Sequence, residues 1–310
     1  MTPSPIPARR AILAAALGGA SVAALAACGG NSDPLNESSA DGKGGGGSVV
    51  VGSADFSESV LLAEIYAGAL RAKGVDASTR TNIGAREIYL KALEAGEIQV
   101  MPEYTGALAI YYNKDFNETD PEKTYEALAS ALPSGLKVLK KSAAEDVDCI
   151  VVTDETAKSK KLTTIADLKD AAGSMTLAAQ PEFRTREQGV PGLEKVYGVT
   201  FSSFRPLRSG QATVQALKNG QVDAANIFST DPAIAENNFV VLEDNKKLFG
   251  SQNVVPLVRD NVADQVTPAL DAVSAALTTE TLQDLLKRTD IDKTDPKKVA
   301  EEFLSEAGLA

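Results

Sequence analysis

The chain writes one helix–strand unit twice. Residues 91–108 read KALEAGEIQVMPEYTGAL, and residues 215–232 read QALKNGQVDAANIFSTDP. In each copy a helix-period segment stops on a glycine, Gly96 or Gly220, and a short apolar strand follows at 98–101 or 222–227. A glycine suits the left-handed residue that ends a helix, since it has no Cβ to clash there. The polar turns after the strands, 102–106 and 228–231, suit helix N-caps. In open α/β sheets ligands gather beyond the carboxyl ends of the strands. Two such edges therefore predict two lobes facing one cleft, although the echo alone is also ordinary α/β grammar.

The rest of the chain extends the pattern. VVVGS from Val49 reads as a strand, and Leu61, Leu62, Ile65, Tyr66, Ala69 and Leu70 recur at helical spacing, with Ser57 as N-cap and Glu58 in the first turn. A second strand is expected at 75–81, and Gly84-Ala85-Arg86 opens the helix of the first repeat. A surface helix at 120–132 and a short strand at 136–139 precede a β-rich run at 146–153, where the chain is expected to cross to the second lobe. That lobe continues with 165–168, a strand at 175–179, a polar loop at 180–189, a helix at 193–197 and a strand near Phe204. NVVPLV at 253–258 would carry the chain back. Three helices close it, at 266–277, 279–288 and 296–307, capped by Thr278 and by Asp295 with Pro296 at the first helical position. The expected division is 49–147 plus 253–310 for lobe 1 and 148–252 for lobe 2, a two-lobed α/β fold with mixed sheets flanked by helices. Asp290, Asp292, Thr294 and Glu301 have calcium-loop spacing, but Asp295 stands where the turn needs glycine, so a helix start is read there instead of a metal site.

Composition narrows the chemistry. There is no histidine and no tryptophan in 310 residues. Imidazole bases, Ser-His-Asp or Cys-His nucleophiles and histidine metal ligands are therefore excluded, and neither a cofactor nor a metal is expected. The formal charge of −11 makes nucleic acid an unsuitable partner. Residues 1–27 read as a signal, with Arg9 and Arg10 ahead of an apolar run, and Leu25-Ala26-Ala27-Cys28 resembles a bacterial lipobox. A membrane-spanning anchor is the competing reading, disfavoured by a short run rich in alanine and glycine. Cys28 would then be lipidated and hold the chain to the membrane, with the Gly/Ser/Asp-rich stretch 28–48 as a flexible tether. Cys149 is left without an intrachain disulfide partner.

GSADFSESVLLAEI (52–65), GEIQVMPEYTGAL (96–108), PEFRTREQGVPGLEKVYG (181–198), QVDAANIFSTDPAI (221–234) and LEDNKKLFGSQNVVPLV (242–258) together resemble the substrate-binding proteins of osmoprotectant ABC transporters, for glycine betaine, carnitine and choline. The resemblance covers nearly all of 49–309. It implies a two-lobed periplasmic-binding-protein fold that closes on a small solute and delivers it to permease subunits, without catalysis; a monomer is expected. A quaternary ammonium donates no hydrogen bond, so aromatic faces hold it, while a carboxylate tail needs arginine, hydroxyls or backbone N–H groups. By position Tyr104 matches a cage tyrosine, Phe228 a cage aromatic, Arg186 the carboxylate-binding arginine and Asp146 an acid near the hinge. Asp148 and Gln252 stand where tyrosines are frequent, Ala54 where a basic residue is usual and Ala107 where a hydroxyl is usual. The pocket so implied takes a small cationic or zwitterionic solute, one with polar hydrogens for Asp148 and Gln252.

Ser53 and Thr230 complete the candidate set, and Arg86, near a helix N-terminus, is a further carboxylate candidate. Other roles stay open: helix packing for Tyr104, core for Phe228, an ion-pair cluster for Arg186 and N-capping for Ser229, Thr230 and Asp231. Another solute, such as an amino acid derivative, on the same fold, or a carboxylate-based extracytoplasmic enzyme, is the alternative function.

Overall fold

The computed structural model describes residues 48–310; the predicted signal segment, Cys28 and nearly all of the tether lie outside them. The described strands, in chain order, are β1 (Val49–Gly52), β2 (Ala77–Arg80), β3 (Val100–Tyr104), β4 (Leu136–Val138), β5 (Asp148–Thr153), β6 (Thr176–Ala179), β7 (Ser203–Pro206), β8 (Ala224–Phe228), β9 (Phe239–Leu242) and β10 (Val254–Arg259). They form two five-stranded sheets, ordered β2-β1-β3-β10-β4 and β7-β6-β8-β5-β9. In each sheet three strands run parallel and the fourth in the order is antiparallel to its neighbour, β10 against β3 and β5 against β8. The two lobes thus share one topology, and the repeated sequence unit supplies the central strand of each, β3 and β8. Both glycine stops are left-handed, Gly96 at φ 79° and Gly220 at φ 65°.

Helices cover the sheets on both faces, which is why the central strands are nearly continuous in apolar residues. Alternation in β10 assigns the faces. Val254 and Val258 pack with Leu61, Ile65 and Leu70 of α1 (Ser57–Ala72) and with Val266, Leu270, Leu286 and Phe303 of the three C-terminal helices. Val255 and Leu257 face Leu90 and Leu93 of α2 (Arg86–Ala95), Leu108 of α3 (Thr105–Tyr112) and Leu128 of α4 (Pro121–Ala131). In the second sheet Ile150 and Val152 of β5 face one core, Cys149 and Val151 the other. Cys149 is thus a small buried hydrophobe. The chain leaves the first sheet after β4 and returns to it at β10. Where the two connections pass, Glu145 bridges Asn253 in antiparallel fashion and the Asp146 N–H donates to the Gln252 carbonyl at 3.1 Å.

The C-terminal helices begin as read, with Thr278 accepting from the Thr281 N–H and Asp295 from those of Lys297 and Lys298. The helix from Pro296 includes Glu301, so the acidic run is a helix start. Other expectations need correcting. Helix α1 starts at Ser57 itself, capped in position by Phe56, and the Ser57 hydroxyl donates instead to Asp290. Pro102, Glu103 and Tyr104 are not a capping turn but the end of β3, all buried, and Phe228 likewise ends β8. Their polarity belongs to buried side-chain networks rather than to a solvated turn. The segment 193–197 is a single wide turn, and β9 and the helix Asp154–Lys160 had no clear periodic signal. Among the described residues no helix is long and apolar enough to cross a membrane.

Candidate functional site

The carboxyl ends of β1, β3, β6 and β8 converge between the sheets, and the residues just beyond them wall a cavity of about 50 Å³. Phe56 lies in the turn after β1, Tyr104 and Phe228 end β3 and β8, Gln180 follows β6, Asp148 opens β5, and Asp146 and Gln252 come from the two connections. Phe56 stands between the other rings, its centroid 5.3 Å from that of Phe228 and 6.3 Å from that of Tyr104, at 41° and 31°. A second chamber of about 250 Å³ adjoins it, sharing Arg86, Ala107, Asp148, Gln180 and Arg186 and adding Ile110, Tyr111, Lys114 and Phe183. Ala54 and Ala107, the departures noted in the sequence, line the cavity as bare wall.

Each charged group is held by a specific partner. Arg86 forks onto Glu103, Nε to Oε1 and Nη2 to Oε2 at 2.9 Å each, and both side chains are buried. Burial works against the Arg86 charge, and Glu103 more than offsets it. Glu103 also accepts from the Tyr89 hydroxyl at 2.7 Å and the Tyr104 N–H at 3.0 Å. Arg186, on the second lobe, forks onto Glu87 at the start of α2 at 3.3 and 3.2 Å, spanning the lobes. Burial alone would raise the Glu87 carboxyl, but Arg186 holds it below its ordinary range. The Asn226 amide donates to Asp148 at 2.9 Å, and burial still pushes that carboxyl up.

Behind Asp146 lies a network that the sequence did not announce. Glu58, 3% exposed in the first turn of α1, accepts from the Tyr104 hydroxyl at 2.5 Å. Its other oxygen lies 2.5 Å from Thr230 Oγ1, which is itself 2.8 Å from Asp146 Oδ1. Burial pushes Glu58 up to about 7; burial and the neighbouring Glu58 charge push Asp146 well above the carboxylate range.

The structure brings Tyr104, Phe228, Asp146, Asp148, Arg186, Arg86 and Gln252 to one cavity wall. Arg86 and Gln252 are among those already engaged by protein partners there. The guanidinium of Arg86 is committed to Glu103, and Gln252 accepts from the Ala107 N–H at 2.9 Å while donating to the Phe249 carbonyl at 2.8 Å. Ser53 and Thr230 stand off the wall. The Ser53 hydroxyl, fully buried, is spent on the Ala54 carbonyl and the Asn82 N–H, and Thr230 joins the buried acids. Phe56, Glu58, Tyr89 and Gln180 were not singled out. For Phe56 a signal existed, an aromatic residue in the short turn between the first strand and the first helix; for Glu58 none did, because a first-turn glutamate is ordinary helix grammar. Among the described residues no group of three or more metal-ligating side chains is placed to hold an ion.

Residues 47–306 match the family described as the substrate binding domain of ABC-type glycine betaine transport systems. The chain belongs to that family. Members bind solute and do no chemistry on it, so this is a binding protein and not an enzyme. It is 30% identical over 277 residues to the glycine betaine-binding protein YehZ of Escherichia coli strain K12, covering 84% of this chain and 90% of the relative. To the glycine-betaine-binding protein of Pseudomonas aeruginosa it is 27% identical over 274 residues, covering 84% and 88%. The crystal structure of a glycine betaine/carnitine/choline ABC transporter superposes with a TM-score of 0.67 at 24% identity, over 84% of this chain and 99% of that one. That likeness shows the fold, a two-lobed periplasmic-binding-protein architecture.

Proposed function

We propose that the protein is the extracytoplasmic receptor of an ABC importer, tethered to the membrane through Cys28, monomeric, and closing on a small cationic or zwitterionic osmoprotectant of the glycine betaine type. The observation that carries this reading is the set of three rings, Phe56, Tyr104 and Phe228, meeting beside the Asp146 and Asp148 carboxyls with Arg186 across the cavity. Ring faces and carboxylates attract a methylated ammonium that offers no hydrogen bond; an arginine fork suits a carboxylate. The head would sit among the rings and the tail would run past Asp148 toward Arg186.

Closure would pivot on the paired connections around Glu145–Asn253, with lobes of 49–147 plus 253–310 and 148–252. Solute touching both lobes favours the closed arrangement by its differential affinity. In the closed form Arg186 would exchange Glu87 for the solute carboxylate. The adjoining chamber of about 250 Å³, with Lys114 and Tyr111, favours a second reading within the same class. A betaine or amino acid derivative with a longer polar tail would fill both spaces.

A thermal-shift and calorimetric panel of glycine betaine, choline, carnitine, ectoines, ergothioneine and common amino acids tests this, since a ligand of the native state raises the melting temperature by mass action. Stoichiometric binding of a quaternary ammonium compound is expected; no shift with any compound would remove the receptor reading. Metabolic labelling with a fatty acid, lost in Cys28→Ala, tests the anchor.

A further inference from the structure

Two acids with no cation between them lie under the aromatic wall. Glu58 and Asp146 are 3% and 5% exposed, and no lysine or arginine of the described residues pairs with either. The nearby guanidinium groups are committed to Glu103 and Glu87. The titratable groups that do face the pair are Tyr104 from β3, Asp148 and Cys149 from β5, and Asp231 from the turn after β8. None is a cation. Two ionised carboxylates buried this way would repel, with only neutral donors against them, the Thr230 N–H at 3.2 Å and the Ser229 hydroxyl at 3.4 Å on Asp146 among them.

The hydrogen count gives the same answer independently. Thr230 Oγ1 is 2.5 Å from Glu58 Oε2 and 2.8 Å from Asp146 Oδ1. A hydroxyl has a single hydrogen to donate. The second short contact needs a hydrogen from the carboxyl side, and the Tyr104 hydroxyl cannot lend it, being spent on Glu58 Oε1. One proton held on the Glu58–Asp146 pair would satisfy both contacts. Asp146 also lines the cavity beside Phe228 and Tyr104, so the pair touches the place where a solute head would lie.

We propose that Glu58 is a positioning residue for solute capture: it shares a proton with Asp146, and the cationic head of the solute takes the place of that proton, which leaves to water. This rests on the receptor reading above and adds a selection rule to it. A solute with a fixed positive charge gains the full anionic pair, whereas a neutral molecule of the same shape leaves the proton where it is. Glu58, pushed up to about 7 by burial, puts the exchange near neutral pH. With no histidine in the chain, few other groups titrate there, so the exchange can be read against a quiet background.

The test is calorimetric titration of the purified protein with glycine betaine and with choline, at about pH 6 and about pH 9, in two buffers of different ionisation enthalpy. About one proton released per solute is expected at the lower pH and none at the higher, with affinity rising up to about tenfold per pH unit between them. In Glu58→Gln the pH slope should flatten. Choline should release the proton, and 3,3-dimethylbutan-1-ol, its neutral isostere, should not. Tight choline binding with no proton release at the lower pH overturns the proposal, as does equal release by the isostere. Linkage that survives Glu58→Gln but disappears in Asp148→Asn assigns the proton elsewhere and also overturns it. If no solute binds, the receptor reading falls, and infrared spectra of the protein alone still decide the shared proton. A protonated-carboxyl band near neutral pH that is lost in Glu58→Gln upholds the pair, and its absence refutes it.

Discussion

Phe56 and Glu58, two residues apart, face opposite fates at the start of α1: the ring enters the cavity and the carboxyl goes beneath it. Truncating either stacked partner, Phe56→Ala or Phe228→Ala, should weaken quaternary ammonium binding about tenfold, the worth of one cation–π contact near its upper range. Calorimetry on each variant reads this directly. Arg86 poses a different question. Its burial against Glu103 means that Arg86→Met removes one partner and strands the other charge. The expected loss is about 3–5 kcal/mol of stability in denaturant unfolding, and Arg86→Met with Glu103→Leu should recover much of it. Word-level resemblance was enough to pick out Tyr104, Phe228 and Arg186, which the fold brings to the cavity wall. Glu58 was not legible, because what distinguishes it is burial by residues 46 and 172 positions away in sequence, Tyr104 and Thr230.

Among elements, the periodic ones were readable and the polar strand ends were not. The last two helices begin on the caps read from the sequence, Thr278 and Asp295, and helix α4 starts where its range was read, with Asp120 as its cap. Asp295→Ala should cost about 1 kcal/mol, measurable as a lower melting temperature. The end of β3 misled for a physical reason: Pro102-Glu103-Tyr104 carries turn residues, yet Pro102 lies opposite Pro256 of β10 in a central ladder. The helix that follows depends on a close approach. A Cβ on Gly106 would lie 2.4 Å from the Ser251 carbonyl and 3.0 Å from Gln252 Nε2. Gly106→Ala should therefore push α3 off the returning connection, with a loss of about 1–3 kcal/mol. Solute affinity should fall with it, because Gln252 and Ala107 form part of the cavity wall.

At the scale of the molecule, the side-chain links that join the lobes across the cleft include Thr230 to Glu58, Arg186 to Glu87, and Arg208 to Asp55 at 2.8 Å. The two ion pairs are half open to solvent and contribute little. The buried acid contact has a definite pH signature. Glu58 titrates near 4.5 when unfolded and near about 7 when folded, so the folded chain binds more protons in between. Its contribution is fully present below the lower value and is lost as pH rises through the upper one. Without added solute, the melting temperature should fall from about pH 5 to about pH 7.5, and Glu58→Gln should flatten that fall. Solute affinity is expected to climb over the same window, so the two trends run in opposite directions.

The strand order also dictates when each half can be finished. Every strand of the second sheet comes from one continuous stretch, 148–242, whereas the first sheet keeps a gap between β3 and β4 until β10 arrives. A chain emerging from its N-terminus thus completes its later half first, and its earlier half waits with an open seam in the middle. Pulsed hydrogen exchange during refolding should find the amides of β5 and β8 protected before those of β3 and β4. Equal protection times would show that the seam does not delay assembly. Until the seam closes, β3 offers an unpaired edge on its β10 side, so mutations that slow the docking of 254–259 should be felt as aggregation during biogenesis before they are felt as weaker solute capture.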